Sequence, residues 1–245
     1  GSSDAGSRAA SSHTGAMANP DTAVDALFRK AGIIRCSGRH ELAAVAAVLT
    51  MPQPEGKRLA IVTHAGGPAV MMTDALSRGG LEIPHIRGEK ADRLLEKLYP
   101  GSSVANPIDF LATGNAEQLG EILDACENDF DEIDAVAVIF GSPGLFPVDD
   151  VYRVLHEKMK ANKKPVYPVL PSLITAGREV KDFLAGGNVN FPDEVVFADA
   201  LVKVMNAVTP QAEKHYSRGV DSEKIRQVIE RSGDGYLDPV SVQAL

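Results

Sequence analysis

The sequence predicts an α/β fold: a doubly wound parallel sheet of five strands, preceded by a small-residue loop and two helices. Three observations predict it. Short apolar runs, such as residues 59–62 and 135–140, recur between longer amphipathic stretches. These runs are continuously apolar rather than alternating, as strands covered on both faces are. Gly and Pro mark the junctions, as at Gly66-Gly67, Gly79-Gly80 and Pro165.

Residues 1–19 are rich in Gly, Ala and Ser and have almost no large apolar side chain, so a loop or linker is expected there. From Asp21 the pattern turns helical: Ala23, Leu27 and Phe28 share a face, an acid sits at the positive helix start, and Gly32 ends the run. A second helix is expected over 39–50, closed by Pro52 and Pro54, with 52–56 as a linker. Residues 59–62 form the first strand, and Gly66-Gly67 open a helix that runs to Arg78. Gly79-Gly80 turn the chain into a strand at 81–83. Residues 89–98 are helical, a loop runs through Asn106-Pro107, and 115–128 are helical again. The most continuous apolar strand is 135–140; an amphipathic stretch follows at 148–160, then a strand at 165–170 and a helix at 175–185. A short fifth strand is expected at 189–191 and a helix at 193–208. Beyond Pro210 a polar stretch leads to a charged helix over 222–231.

Strands that alternate with helices pair in parallel through right-handed crossovers. About 150 residues in this pattern fit a flavodoxin-like domain with strand order 2-1-3-4-5. The expected divisions are 1–53, 54–210 and 211–245. No repeat at solenoid periods is visible.

Composition narrows the function classes. Hydrophobic residues make up 44% and charged residues 24% of 245, an ordinary globular balance. The net charge of −8 argues against a general nucleic-acid or anionic-membrane binder. No apolar run approaches the roughly 20 residues that span a bilayer. Cys36 and Cys126 have neither metal-ligand spacing nor disulfide density, which fits a reducing, cytoplasmic setting. The chain lacks an initiator Met and stops where a helix is expected to begin near Ser241, so it is expected to be a piece of a longer protein.

Ligands of an open parallel sheet sit at the carboxyl ends of its strands, near the point where strand order reverses. The first strand ends in Thr63-His64-Ala65-Gly66-Gly67-Pro68. Two glycines let an anion approach the backbone, and free amides with the helix dipole favour it there. Pro68 suits the first turn, where its missing donor costs nothing. The same glycines would equally make a simple tight turn. The loop lacks the Lys-Ser/Thr ending of a P-loop and the three-glycine spacing of a dinucleotide fingerprint. His13 stands among Arg8, Ser11, Ser12 and Thr14, with Gly6, Ala9, Ala10, Gly15 and Ala16 supplying small neighbours. A neutral imidazole is a competent nucleophile near pH 7. Most such histidines are merely solvated.

Residues 6–18 (Gly-Ser-Arg-Ala-Ala-Ser-Ser-His-Thr-Gly-Ala-Met-Ala) closely resemble the phosphohistidine loop of the NDP-forming acyl-CoA synthetases, relatives of succinyl-CoA synthetase. Residues 25–35 are similar to the segment that follows that loop. Residues 59–76 resemble the strand, di-glycine and helix of the family's later flavodoxin-like domain, and Asn106-Pro107-Ile108-Asp109 its Asn-Pro-aliphatic-Asp signature.

The resemblance implies that acyl-CoA and phosphate give acyl phosphate and CoA, that the acyl phosphate phosphorylates His13, and that His13 passes the group to ADP. Ser12, Thr14 and Gly15 would support the histidine. The phosphohistidine would be held between two helix N-termini, the second of them at Gly66 and Gly67, with Ala65 and His64 alongside. His64 stands where an uncharged polar residue such as Asn is expected, and is read as a neutral donor to phosphate. The carboxylate that orients the histidine would lie upstream of this chain.

Residues 1–53 would then be the tail of a first ligase domain, 54–210 the second, and 211–245 a connector to an ATP-grasp domain. CoA, ATP or ADP and Mg²⁺ would serve the complete enzyme, with none expected to be held by this chain alone and no metal site on it. Partners would be the CoA-binding and ATP-grasp domains or subunits and a small-molecule acid, in an oligomer. The alternative is an acyl-CoA-sensing regulatory module joined to a protein acetyltransferase, although such regions often lack the histidine. A plain flavodoxin-like interaction domain would leave the histidine segment unexplained.

Overall fold

The computed structural model describes residues 2–14, 20–142, 144, 147–210, 221–231, 238, 240 and 242. The chain divides into two compact units, Gly1–Val208 and Thr209–Leu245.

The expected loop at the start is instead largely a helix, α1 (Asp4–Thr14). The cause is local. The Ser3 hydroxyl accepts from the Gly6 amide at 3.1 Å as an N-cap, and Asp4 places an acid in the first turn. Ala5, Ala9 and Ala10 are the strongest helix formers, so a stretch too poor in apolar side chains to build a core can still coil. Next come α2 (Asp21–Lys30) and α3 (Arg39–Leu49).

Among the described residues the sheet has four strands rather than the expected five. β1 (Leu59–Thr63), β2 (Ile108–Asp109), β3 (Ala135–Ile139) and β4 (Val166–Val169) pair in parallel in the order β2-β1-β3-β4. Between them run α4 (Gly66–Arg78), α5 (Glu89–Leu95), α6 (Ala116–Asn128) and α7 (Asp149–Ala161). After β4 come α8 (Gly177–Ala185) and α9 (Glu194–Met205). The second unit contains α10 (Ser222–Arg231).

Both missing strands survive as single bridges, and the chemistry shows why. The expected strand at 81–83 pairs with the start of β1 only through Arg58 and Glu82, before Pro84 interrupts the run. The next rung comes from a side chain. Asn106 accepts from the Ile61 amide at 2.9 Å, and its amide group donates to the Leu59 and Pro84 carbonyls, each at 2.9 Å. A carboxamide has the donor and acceptor of a peptide unit, so it continues the ladder where the main chain does not. Asn106 holds φ 69°, a left-handed conformation that Asn tolerates better than most residues, and the Asn106–Pro107 bond is cis. Beyond it β2 resumes the pairing, with Val62 opposite Ile108 and Thr63 opposite Asp109.

At the other edge, the expected strand at 189–191 meets β4 only through Val169 and Phe191. The Phe191 amide donates to the Pro168 carbonyl, and its carbonyl accepts from Leu170. The preceding rung would need an N–H from Pro168, which has none, and Pro192 follows directly. Asn190 closes this edge instead, bonding both the N–H and the carbonyl of Leu170.

Two apolar layers cover the sheet. Side chains of α3, α4 and α9, among them Val48, Met72, Leu76 and Phe197, pack with Leu59 and Ile61 on one face. Side chains of α5 to α8, among them Leu119, Ile122, Leu155 and Phe183, pack with Ala60, Val62 and Phe140 on the other. Consequently β1 sends its following helix to one face and β3 sends its own to the opposite face. The switch point of this sheet lies between β1 and β3, at their carboxyl ends.

Candidate functional site

Four loops meet at the carboxyl edge. After β1 the chain runs Thr63-His64-Ala65 into α4. The Thr63 hydroxyl both accepts from the Ala65 amide at 3.0 Å and donates to the Ala65 carbonyl at 2.8 Å. Ala65 is thus the N-cap of α4, and its own N–H is already occupied. No side chain caps the helix, and the N–H groups of Gly66 and Gly67 find no acceptor among the described residues. Both glycines are exposed. A methyl group at Gly67 would meet nothing within 4 Å, and one at Gly66 only the Asp109 Oδ2 at 3.9 Å. The start of α4 is therefore open, uncapped and at the positive end of a 13-residue helix.

His64 stands in the switch-point crevice. Its Nδ1 lies 3.3 Å from the Ile139 carbonyl at the end of β3, and its ring packs against Phe140 with centroids 4.7 Å apart. Burial pushes the imidazole below its ordinary range; the Ile139 carbonyl and the charge of Asp109 oppose that shift only in part. The ring is therefore neutral near pH 7. Across the crevice the Ser142 amide donates to the Ser172 hydroxyl at 2.7 Å, which ties the loops after β3 and β4 together. The two loops approach closely there: a methyl group at Gly141 would stand 2.8 Å from that hydroxyl.

The expected site residues are thus only partly brought together. His64, Ala65, Gly66 and Gly67 share the carboxyl edge. His13 and Thr14 fall in the last turn of α1; their side chains, and all of Gly15, lie outside the described residues. Ser12 is described, and its hydroxyl donates to the Ala9 carbonyl within the helix at 2.9 Å. Two edge residues, Ser142 and Ser172, escaped the sequence reading, and Asp109 entered it only as the end of the Asn-Pro-aliphatic-Asp signature, with no place at the edge. Each follows or ends a strand, so the rule that ligands gather at carboxyl ends was the available signal. For Asp109 the obstacle was β2, a two-residue strand too short to leave a hydrophobic run.

No helix among the described residues is long and apolar enough to cross a membrane. Among the same residues no three His, Cys, Asp or Glu side chains gather closely enough to hold a metal ion.

Fold and edge together define a flavodoxin-like α/β domain whose crevice lies between β1 and β3. Comparison with known proteins identifies the family. Residues 1–49 match the family model described as the succinyl-CoA ligase like flavodoxin domain. The chain is 31% identical over 169 residues to the alpha subunit of acetate–CoA ligase [ADP-forming] II of Pyrococcus furiosus, covering 68% of this chain and 37% of that protein. It is 29% identical over 209 residues to 4-hydroxybutyrate–CoA ligase [ADP-forming] of Nitrosopumilus maritimus, covering 85% of this chain and 29% of the relative. A solved dinucleotide-forming acetyl-coenzyme A synthetase 1 of Ca. Korarchaeum cryptofilum, in complex with phosphate and ADP, superposes with a TM-score of 0.74 at 23% identity. That match covers 84% of this chain and 45% of the solved one. The chain belongs to the NDP-forming acyl-CoA synthetase family. It spans well under half the length of the curated relatives described above, 37% and 29%.

Proposed function

We propose that this chain forms part of an acyl-CoA synthetase that interconverts acyl-CoA, ADP and phosphate with carboxylic acid, CoA and ATP through a phosphohistidine at His13. The observation that carries the reading is the bare start of α4 at the switch point. An exposed anion at a helix start is favoured by about 0.3–1 kcal/mol, and by more when partly buried. Gly66 and Gly67 let a phosphoryl oxygen approach their amides without steric opposition. Ala65 contributes backbone shape rather than a donor, because Thr63 holds its N–H.

In the forward direction a His13 ring nitrogen attacks the phosphorus of an acyl phosphate. The bond from phosphorus to the acyl oxygen breaks and the carboxylate leaves. The phosphoryl group then passes to the terminal oxygen of ADP as the N–P bond breaks. The start of α4 would hold the phosphoryl group while it is carried, with Ser12, Thr14 and Gly15 shaping the histidine segment. CoA, ADP and Mg²⁺ would be held by CoA-binding and ATP-grasp domains or subunits, and no step above is routed through a metal on this chain. Val70 and Met71, 61% and 52% exposed one turn into α4, supply apolar surface beside that start for such a partner. A cytoplasmic setting fits the reduced cysteines and the relatives' metabolic chemistry. The relatives named above are ligases and lend the acetyltransferase-linked reading no support.

The test is direct. Incubating the protein with acetyl phosphate labelled at phosphorus should produce an acid-labile, base-stable label, lost in His13→Ala. Retention of that label by the variant would remove His13 from the reaction.

A further inference from the structure

The helix α3 is apolar on both of its sides. Inward, Ala44, Val45 and Val48 pack into the layer shared with α4 and α9. Outward, Leu42, Ala43, Ala46, Leu49 and Thr50 are exposed, the two leucines at 57% and 55%. The only acid of the helix, Glu41, is held by Ser37 and by Lys203 of α9. From Leu42 to Leu49, about two turns, no charge interrupts the outer face. A helix that is apolar all round is normally covered all round.

The two ends of α3 indicate what covers it. Arg39 stands exposed in the first turn, at the positive end of the helix dipole, with no ion pair or hydrogen bond among the described residues. The last turn has no basic residue, and the Leu49 carbonyl receives no donor among the described residues. A cation at the positive end and a bare carbonyl at the negative end are each unfavourable in a single copy. They complement a second α3 laid antiparallel to the first. Leu42 of one copy then lies beside Leu49 of the other, and Ala46 meets its own mate near the two-fold axis. Arg39 of each copy reaches the Leu49 carbonyl of the other. The small side chains of Ala43 and Ala46 let the helix axes approach closely. Such a face matches itself, as a two-fold interface requires.

We propose that the chain pairs with a second copy of itself through the outer face of α3, as an antiparallel two-fold dimer. The proposal is independent of the phosphoryl chemistry above. Eleven residues of helix span only about 16 Å, so the contact is smaller than the roughly 800 Å² per partner of a standard interface. The dimer is therefore weak, with a dissociation constant of about 10–500 µM.

The experiment is sedimentation velocity of the full chain, from about 5 µM to about 1 mM, with three variants. The parent is expected to pass from monomer to dimer over that range. Leu49→Glu, at an exposed position, is expected to stay monomeric with an unchanged circular dichroism spectrum. Arg39→Glu puts an acid at the helix start, so it is expected to raise Tm while weakening the dimer by about tenfold. Ala46→Cys is expected to be joined into a dimer by a short bis-maleimide, because the two copies of position 46 face each other. A parent that stays monomeric throughout overturns the proposal and gives the α3 face to another occupant, such as a further domain of a longer protein. A dimer that survives Leu49→Glu overturns it by placing the interface elsewhere. If Ala46→Cys is not cross-linked, or Arg39→Glu pairs as tightly as the parent, the antiparallel arrangement fails.

Discussion

Asn106→Ala tests the side-chain rung that completes the sheet. The substitution removes three hydrogen bonds, from the Ile61 amide and to the Leu59 and Pro84 carbonyls. Ile61 and Leu59 are fully buried, so water cannot replace the lost partners. Each stranded buried group costs about 1–3 kcal/mol, or about 2–6 kcal/mol for the amide and one carbonyl. Ala at φ 69° adds roughly 1 kcal/mol, because a side chain with no local hydrogen bond is disfavoured in the left-handed region. The expected loss is about 3–7 kcal/mol, and for a unit of this size at least about 6 °C in Tm. Urea unfolding followed by circular dichroism measures it. Asn106→Gly strands the same groups but relieves the backbone, so it should recover about 1 kcal/mol of the loss and no more. If Asn106→Ala unfolds within about 1 kcal/mol of the parent, the carboxamide is not acting as a rung and the reasoning is refuted.

Two further predictions concern the faces of α4 and α9. Gly67→Asp places a carboxylate in the first turn of α4, in space where nothing stands within 4 Å. It should leave Tm unchanged or raise stability by about 0.3–1 kcal/mol through the helix dipole, yet abolish phosphate binding in a titration; unaltered phosphate affinity would detach the ion from this helix. Glu41 on α3 is bonded by Lys203 of α9 and by Ser37, which together draw its carboxyl from 4.5 down to about 2. A folded-state value below the unfolded one means stability that is present above pH 4.5 and lost as pH falls towards 2. Glu41→Gln should therefore cost about 1 kcal/mol at pH 7, after discounting for solvent screening, and nothing near pH 2. An equal cost at both pH values would assign the effect to packing rather than charge.

The class of fold was legible in the sequence because it rests on local patterns. A continuous run such as 135–140 must be buried on both faces wherever it ends up, and amphipathic stretches such as 149–161 must lay one face on something. Residues Gly66-Gly67-Pro68 announce an open helix start by the same local logic, since their conformational limits travel with them. The single-chain reading failed where the outcome depended on a partner distant in sequence. Whether 81–83 or 108–109 completes the edge of β1 was decided by Asn106, whose carboxamide matches Leu59 and Ile61 only once the chain has folded back. Whether 189–191 could extend the sheet was decided by Pro168 in the neighbouring strand. Only folding brings Nδ1 of His64 to within 3.3 Å of the carbonyl of Ile139, 75 residues away.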